Sequence, residues 1–211
     1  MAEVERPDGL PGPRQARRPE DFDALYAAGT PAWDIGRPQP AFRALSDGGR
    51  LVGPVLDVGC GTGEHALMAA ASGLDATGLD LAGTAIAIAK RKADERAFTV
   101  EFIRGNALEL ADVGRSFNTV LDCGLFHVLE DADRLTYVQA LRRCMPIGAH
   151  YYLLCFSDLE PGDWGPRRIR QEEIRLNFID GWLVEAIAPS SIEITIAPGS
   201  ARAWLASIVR A

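Results

Sequence analysis

Residues 55–65 read VLDVGCGTGEH and bring together the groups best suited to hold a ligand: an acid, Asp57, inside an apolar run, then Gly59, Gly61 and Gly63 around Cys60. Glycine accepts positive φ and leaves no Cβ between the main chain and a bound molecule, so this strand-to-helix turn is a candidate cradle. The spacing is not the GxGxxG of a dinucleotide turn, and Glu64 would compete with a pyrophosphate for the positive end of the helix dipole. A ligand without that charge fits better. A second group, DCGLFHVLED (122–131), gathers Asp122, Cys123, Gly124, Phe126 and His127. His127 is the candidate general base, because an imidazole with an unperturbed pKa of about 6.5 accepts a proton near neutrality. Its alternative is a ring that packs or caps a turn. His65 and His150 are less well placed. A third group, DLEPGDWGPRRIRQEEI (158–174), carries Trp164, Arg167 and Arg168. They suit a wall for an aromatic acceptor and a contact for an anion, the alternative being a solvated basic entrance to a helix. Cys60, Cys123, Cys144 and Cys155 show neither CxxC nor Cys/His zinc spacing, so no metal is expected and the thiols read as reduced.

The elements that must position these groups follow from periodicity. From residue 54 the chain alternates: strand 54–58, helix 62–72, strand 75–80, helix 82–96, strand 99–104, an irregular stretch, strand 117–122, helix 131–144, strand 149–156. A helix near 171–178 and two extended runs, WLVEAIAPSSIEIT and ARAWLASIVRA, close the series, with a hairpin expected between the runs. Apolar strands separated by helices imply a parallel sheet covered on both faces, with the ligand crevice at the carboxyl ends of the strands. Ahead of this series two short helices are expected within 19–50, and residues 1–18, rich in Pro, Gly and charge, read as a mobile tail. The chain has 211 residues, enough for one such domain over 19–211. No apolar stretch is long enough for a membrane helix and the first residues lack a signal-sequence pattern, so no membrane partner and a cytoplasmic location are expected. A formal net charge of -7 opposes attraction to phosphate backbones, so nucleic acid is not an expected partner.

VLDVGCGTG, including Asp57 two residues before the first glycine, resembles the first motif of class I S-adenosylmethionine-dependent methyltransferases. The resemblance implies a single Rossmann-like, doubly wound α/β fold. Its sheet would have seven mostly parallel strands, with one antiparallel strand near the C-terminal end. It further implies S-adenosyl-L-methionine as cofactor: Asp57 and the Gly59 carbonyl would serve the ammonium, while Gly61 and Gly63 allow close approach beside Cys60. Asp80, closing the second strand in ATGLDLAG, would take the two ribose hydroxyls, its alternative being a helix cap. Leu81 follows it. Asn106 and Ala107 come after the third strand where such enzymes contact adenine, although the usual residue there is Asp and an Asx turn is the alternative. Asp122 is assigned to the cofactor side or to structure.

YAAGTPAWDIGRPQPAFRAL (26–45) resembles a W-D-x-G-x-P-Q-P signature found ahead of motif I in small-molecule methyltransferases. This group is related to thiol, thiopurine and halide methyltransferases and to actinobacterial quinone or phenol methyltransferases. It implies an N-terminal helical lid, with Trp33 beside the methionyl end; a packing anchor is the alternative role. Transfer of the methyl to an O, S or N of a small aromatic acceptor would be an in-line displacement resting on alignment and exclusion of water. DCGLFHVLED occupies the place where the acceptor meets the methyl group. The missing Asn/Asp-Pro-Pro-aromatic motif disfavours exocyclic base or amide nitrogens. Phe126, Trp164 and Arg167 are the candidate pocket residues. The competing readings are a protein or RNA methyltransferase and a non-catalytic binding module. A monomer or a homodimer is expected.

Overall fold

The computed structural model describes residues 19–211, and the tail expected over 1–18 lies outside the described residues. Two helices, α1 (Pro19–Ala28) and α2 (Pro40–Asp47), precede β1 (Val55–Val58), α3 (Glu64–Ala71), β2 (Ala76–Asp80), α4 (Gly83–Glu95) and β3 (Glu101–Arg104). There follow a 3-10 segment Ala107–Val113, β4 (Thr119–Cys123), α5 (Asp131–Cys144), β5 (His150–Phe156), α6 (Gln171–Asn177), β6 (Trp182–Glu193) and β7 (Ser200–Arg210). The stretch expected to be irregular is thus the 3-10 segment, begun by Asn106, whose side-chain oxygen accepts from Leu108 N–H at 3.0 Å.

The seven strands form one sheet in the order β3-β2-β1-β4-β5-β7-β6. β1 to β5 pair in parallel, and β7 runs antiparallel to both β5 and β6. This is the doubly wound sheet that the alternation implies, with the one reversed strand that the family resemblance implies. Side chains alternate across it: Tyr151, Leu153 and Cys155 of β5 join the core beneath α5 and α6 with Leu56 and Val58. Tyr152, Leu154 and Phe156 join the opposite core with Phe42, Val55 and Met68. Pro189 is tolerated in β6 because that strand lies at the edge, where a missing N–H removes no ladder bond to a further strand.

The segment before β1 is fastened to three places. Asp23 of α1 accepts from Thr84 N–H at the start of α4 (2.8 Å), which also holds its carboxyl below the ordinary range. Thr195 N–H, just past β6, donates to the Ala32 carbonyl at 2.8 Å. The Gln39 amide pairs with both backbone groups of Glu193, donating to its carbonyl at 3.0 Å and accepting from its N–H at 2.9 Å. Arg37 adds an ion pair to the Glu193 carboxylate.

Phe102 of β3 shows how closely the layers meet. A Cβ built on Gly78 would lie 2.6 Å from its ring, and one on Gly63 also 2.6 Å. Gly78→Ala should therefore cost about 1–3 kcal/mol of stability through overpacking. Phe102→Leu in the same chain should recover part of that loss. Urea unfolding of the single and double variants checks this; losses that simply add would mean that the ring is not what the methyl group meets.

Candidate active site

The sheet order reverses at β1, which has β2 on one side and β4 on the other, so the crevice opens where the loops after β1 and β4 diverge to opposite faces. Asp57 lies in β1 at that point, only 1% exposed. Its Oδ2 accepts from Ala66 N–H of α3 at 3.2 Å. Its Oδ1 has no hydrogen-bond partner, and His65 Nδ1 stands 3.5 Å from it. A buried carboxylate oxygen without a donor is costly, and a cationic group on a ligand would relieve it.

The three glycines of the turn divide their roles. A Cβ on Gly59 would meet Leu125 at 3.1 Å, and one on Gly61 would meet the Tyr26 hydroxyl at 2.6 Å, so both face the groups that border the crevice. Gly63 differs from its expected part in ligand approach: at φ +86° its Cβ would enter the Phe102 ring and lie 3.0 Å from Ala89. It is required for seating α3 against the sheet. Cys60 presents no side chain to the crevice. Its thiol points into a core with Ala66, Leu67, Ile86, Ala89, Ala93 and Phe102, where burial raises its pKa well above normal, leaving only its main chain for a ligand.

Asp80 closes β2 with Oδ2 accepting from Gly61 N–H and Oδ1 from Ala82 N–H, both at 2.8 Å. Each oxygen keeps a further lone pair, so a vicinal diol can still be received. Burial pushes this carboxyl above its ordinary value, opposed by the two N–H bonds. Leu81 beside it is exposed. Asn106 uses its carbonyl oxygen to cap the 3-10 segment and Ala107 is buried, so the turn role of Asn106 is the one its geometry displays.

Tyr26 was legible in the sequence only as an apolar position of α1, yet it stands over the glycine turn. Its hydroxyl accepts from Trp33 Nε1 at 2.9 Å, and the Trp33 ring meets Phe22 and Tyr26 edge-on, each at 6.2 Å. Trp33 itself is 38% exposed. Asp34 Oδ2 accepts from the Thr62 hydroxyl at 2.7 Å, joining the Trp-bearing loop to the glycine turn. Thr62 accepts from Lys92 at 2.7 Å, and Lys92 and Arg96 pair with buried Glu64, so Glu64 is spent on α4.

At the end of β4, Asp122 displays the structural one of its two expected roles. Oδ1 accepts from Leu125 N–H (2.9 Å) and Phe126 N–H (3.3 Å), and Oδ2 from the hydroxyls of Tyr137 (2.9 Å) and Tyr151 (2.8 Å). Both oxygens thus hold the following loop against the core. Burial raises its pKa to about 6, with the four donors opposing. His127 is buried, edge-on to Phe156 at 5.2 Å. Its Nδ1 accepts from Phe156 N–H at 3.0 Å. The neutral ring therefore carries its proton on Nε2, whose edge lies against Gly124: a Cβ there would be 3.1 Å from Nε2. This imidazole offers a donor, not the lone pair a general base needs, and a proton added at Nδ1 would oppose the Phe156 N–H.

The remaining pocket candidates are placed elsewhere. Phe126 is fully buried against Phe178 and beneath Arg134. Trp164 is buried behind Phe156, edge-on at 5.4 Å, so it backs the ring that supports His127. Arg167 pairs with Asp131 and Glu173, which neutralise it. Arg168 spans the rings of Phe156 and Trp164 and donates to carbonyls of its own loop, including Pro166 at 2.7 Å and Glu160 at 3.3 Å. Among the described residues no group of three or more His, Cys, Asp or Glu is placed to hold a metal, and no helix is long and apolar enough to cross a membrane.

Residues 55–148 match the model of a methyltransferase domain. Over 168 residues the chain is 36% identical to the 2-heptyl-1-hydroxyquinolin-4(1H)-one methyltransferase of Mycobacteroides abscessus, covering 78% of this chain and 74% of that protein. A solved structure concerned with conversion of a disulfide bond into a thioacetal group during echinomycin biosynthesis superposes with a TM-score of 0.83 at 36% identity, over 92% of this chain and 93% of that one. Magnesium protoporphyrin IX methyltransferase from Synechocystis PCC 6803, with bound SAH, shares the fold at a TM-score of 0.62 and 18% identity, over 91% and 82% of the two chains.

The Asp122 geometry carries a pH consequence. Its folded pKa, about 6, exceeds the unfolded value of about 3.9, so its stabilising contribution is complete below the unfolded value and is lost as pH rises through 6. Asp122→Asn abolishes that titration. The stability of the native protein relative to this variant should therefore fall between pH 4 and 7 and level off above. Denaturant unfolding across that range checks it; a relative stability that climbs with pH would mean a depressed carboxyl.

Proposed function

Because this chain belongs to the S-adenosylmethionine-dependent methyltransferases, we propose that it methylates the oxygen or sulfur of a small, flat aromatic molecule that reaches the site already ionised. The observation that carries this reading is the bond from Phe156 N–H to His127 Nδ1. With its proton on Nε2, His127 would donate to an anionic oxygen or sulfur of the acceptor, which keeps lone pairs for attack. The same donor would occupy the single lone pair of an amine nitrogen. The relative from Mycobacteroides abscessus is named for a hydroxyquinolone, a flat ring bearing a hydroxyl, and supports the same acceptor class.

The residues present fit the cofactor. Asp57 Oδ1, buried and without a donor, would take the ammonium with the Gly59 carbonyl, and Asp80 would take the ribose hydroxyls. Leu81, Asn106 and Ala107 would border the adenine. When bound, S-adenosylmethionine supplies a methyl group on a positively charged sulfur that leaves without acid assistance. The chain's own task is then alignment and exclusion of water. Tyr26 and Trp33, held to each other and standing over Gly61, would cover the methionyl end, with 19–50 as the lid. Leu125, against Gly59, would wall the crevice from the side of β4.

Two acceptors of different acidity test the reading. With S-adenosylmethionine saturating, the pH–rate profile should break near each acceptor's own pKa, and His127→Ala should lower turnover about 10–100-fold without moving the break. A break at one fixed pH for both acceptors would instead reveal a base on the protein. Asp80→Ala should weaken cofactor binding by about 1–3 kcal/mol in calorimetry.

A further inference from the structure

We propose that His65 is a positioning residue: it aims the Asp57 carboxylate and links it to the N-terminal cover. Its ring is held at three points. Gln39 N–H donates to Nε2 at 3.2 Å, Phe42 meets the ring edge-on at 4.9 Å, and Nδ1 stands 3.5 Å from Asp57 Oδ1. Because Nε2 is an acceptor, the neutral ring carries its proton on Nδ1, facing the carboxylate oxygen that has no other donor. The next residue, Ala66, donates its N–H to the other oxygen, so two consecutive residues of α3 face the two oxygens of Asp57, one bonding it and one standing beside it.

Gln39 is itself immobilised. Its side chain is spent on the backbone of Glu193, and it lies where the 31–40 loop enters α2. If the cover lifts, Nε2 loses its donor and only the Asp57 carboxylate still favours the proton on Nδ1. The other tautomer would then set a lone pair against the Asp57 carboxylate. Seating of the cover thus secures the tautomer that orients the carboxylate for a cationic ligand group. In its neutral form His127 carries the opposite tautomer, so the two rings differ in the nitrogen that holds the proton.

This inference rests on the reading of Asp57 as the group that faces the cofactor ammonium, and the tests separate the two. In long-range nitrogen-15 spectra of the intact protein at neutral-ring pH, His65 should show protonated Nδ1 and bare Nε2, and His127 the reverse. Calorimetry with S-adenosylhomocysteine then compares two amides that each copy one ring nitrogen. His65→Asn, with its amide at the Nδ1 position, should stay within about threefold of native affinity; His65→Gln, with its amide at the Nε2 position, should bind about tenfold more weakly. Equal weakening by both, no weakening by either, or a His65 ring protonated on Nε2 overturns the positioning role while native binding stands. Failure of the native protein to bind S-adenosylhomocysteine overturns the cofactor reading and this inference with it.

Discussion

The crevice depends on the place of β1 in the sheet. With β2 on one flank and β4 on the other, the chain leaving β1 turns to one face and the chain leaving β4 to the opposite face. Neither loop can cover the carboxyl end of β1, where Asp57 and the glycine turn stand. The parallel register then sets the neighbours: Val58 of β1 is level with Leu79 of β2 and Asp122 of β4, so Asp80 and the loop after Asp122 emerge on either side of the turn. One backbone N–H, that of Gly61, reaches across to Asp80 and fixes the turn to the end of β2.

Acids in this region serve different purposes according to what surrounds them. Asp122 has four protein donors and acts as the hub of the loop carrying His127. Asp57 has one strong donor and an oxygen left over. Asp80 receives two N–H groups but retains acceptor capacity. A carboxylate whose lone pairs are filled by tyrosines and loop amides is structural; one with capacity remaining in a crevice is available to a ligand.

The N-terminal segment joins distant parts of the chain. Asp23 binds the start of α4, Asp34 the glycine turn, Gln39 both His65 and β6, and Trp33 the hydroxyl that stands over Gly61. As the proposed lid, a segment tied at several points to rigid elements would exclude water with little freedom in how it seats, which would suit a transfer governed by alignment.

Much of this was legible in the residues alone. Strand and helix periods are local, so the alternation from 54 onward displayed the parallel sheet, the family resemblance supplied its reversed strand, and the spacing of Asp57, Gly59, Gly61 and Gly63 marked the turn. The W-D-x-G-x-P-Q-P stretch marked the segment that now lies over that turn. What the sequence could not display was the partner of each side chain. Phe126, Trp164 and Arg167 sit on loops that run toward the crevice, yet the first two are buried in packing and the third is neutralised by Asp131 and Glu173. The tautomers of His127 and His65 hang on single backbone N–H groups, Phe156 across from β5 and Gln39 from the N-terminal segment. Periodicity records which face a residue prefers; only the folded chain decides which donor lies opposite a given lone pair, and that choice leaves the neutral His127 with its proton on Nε2 and the neutral His65 with its proton on Nδ1.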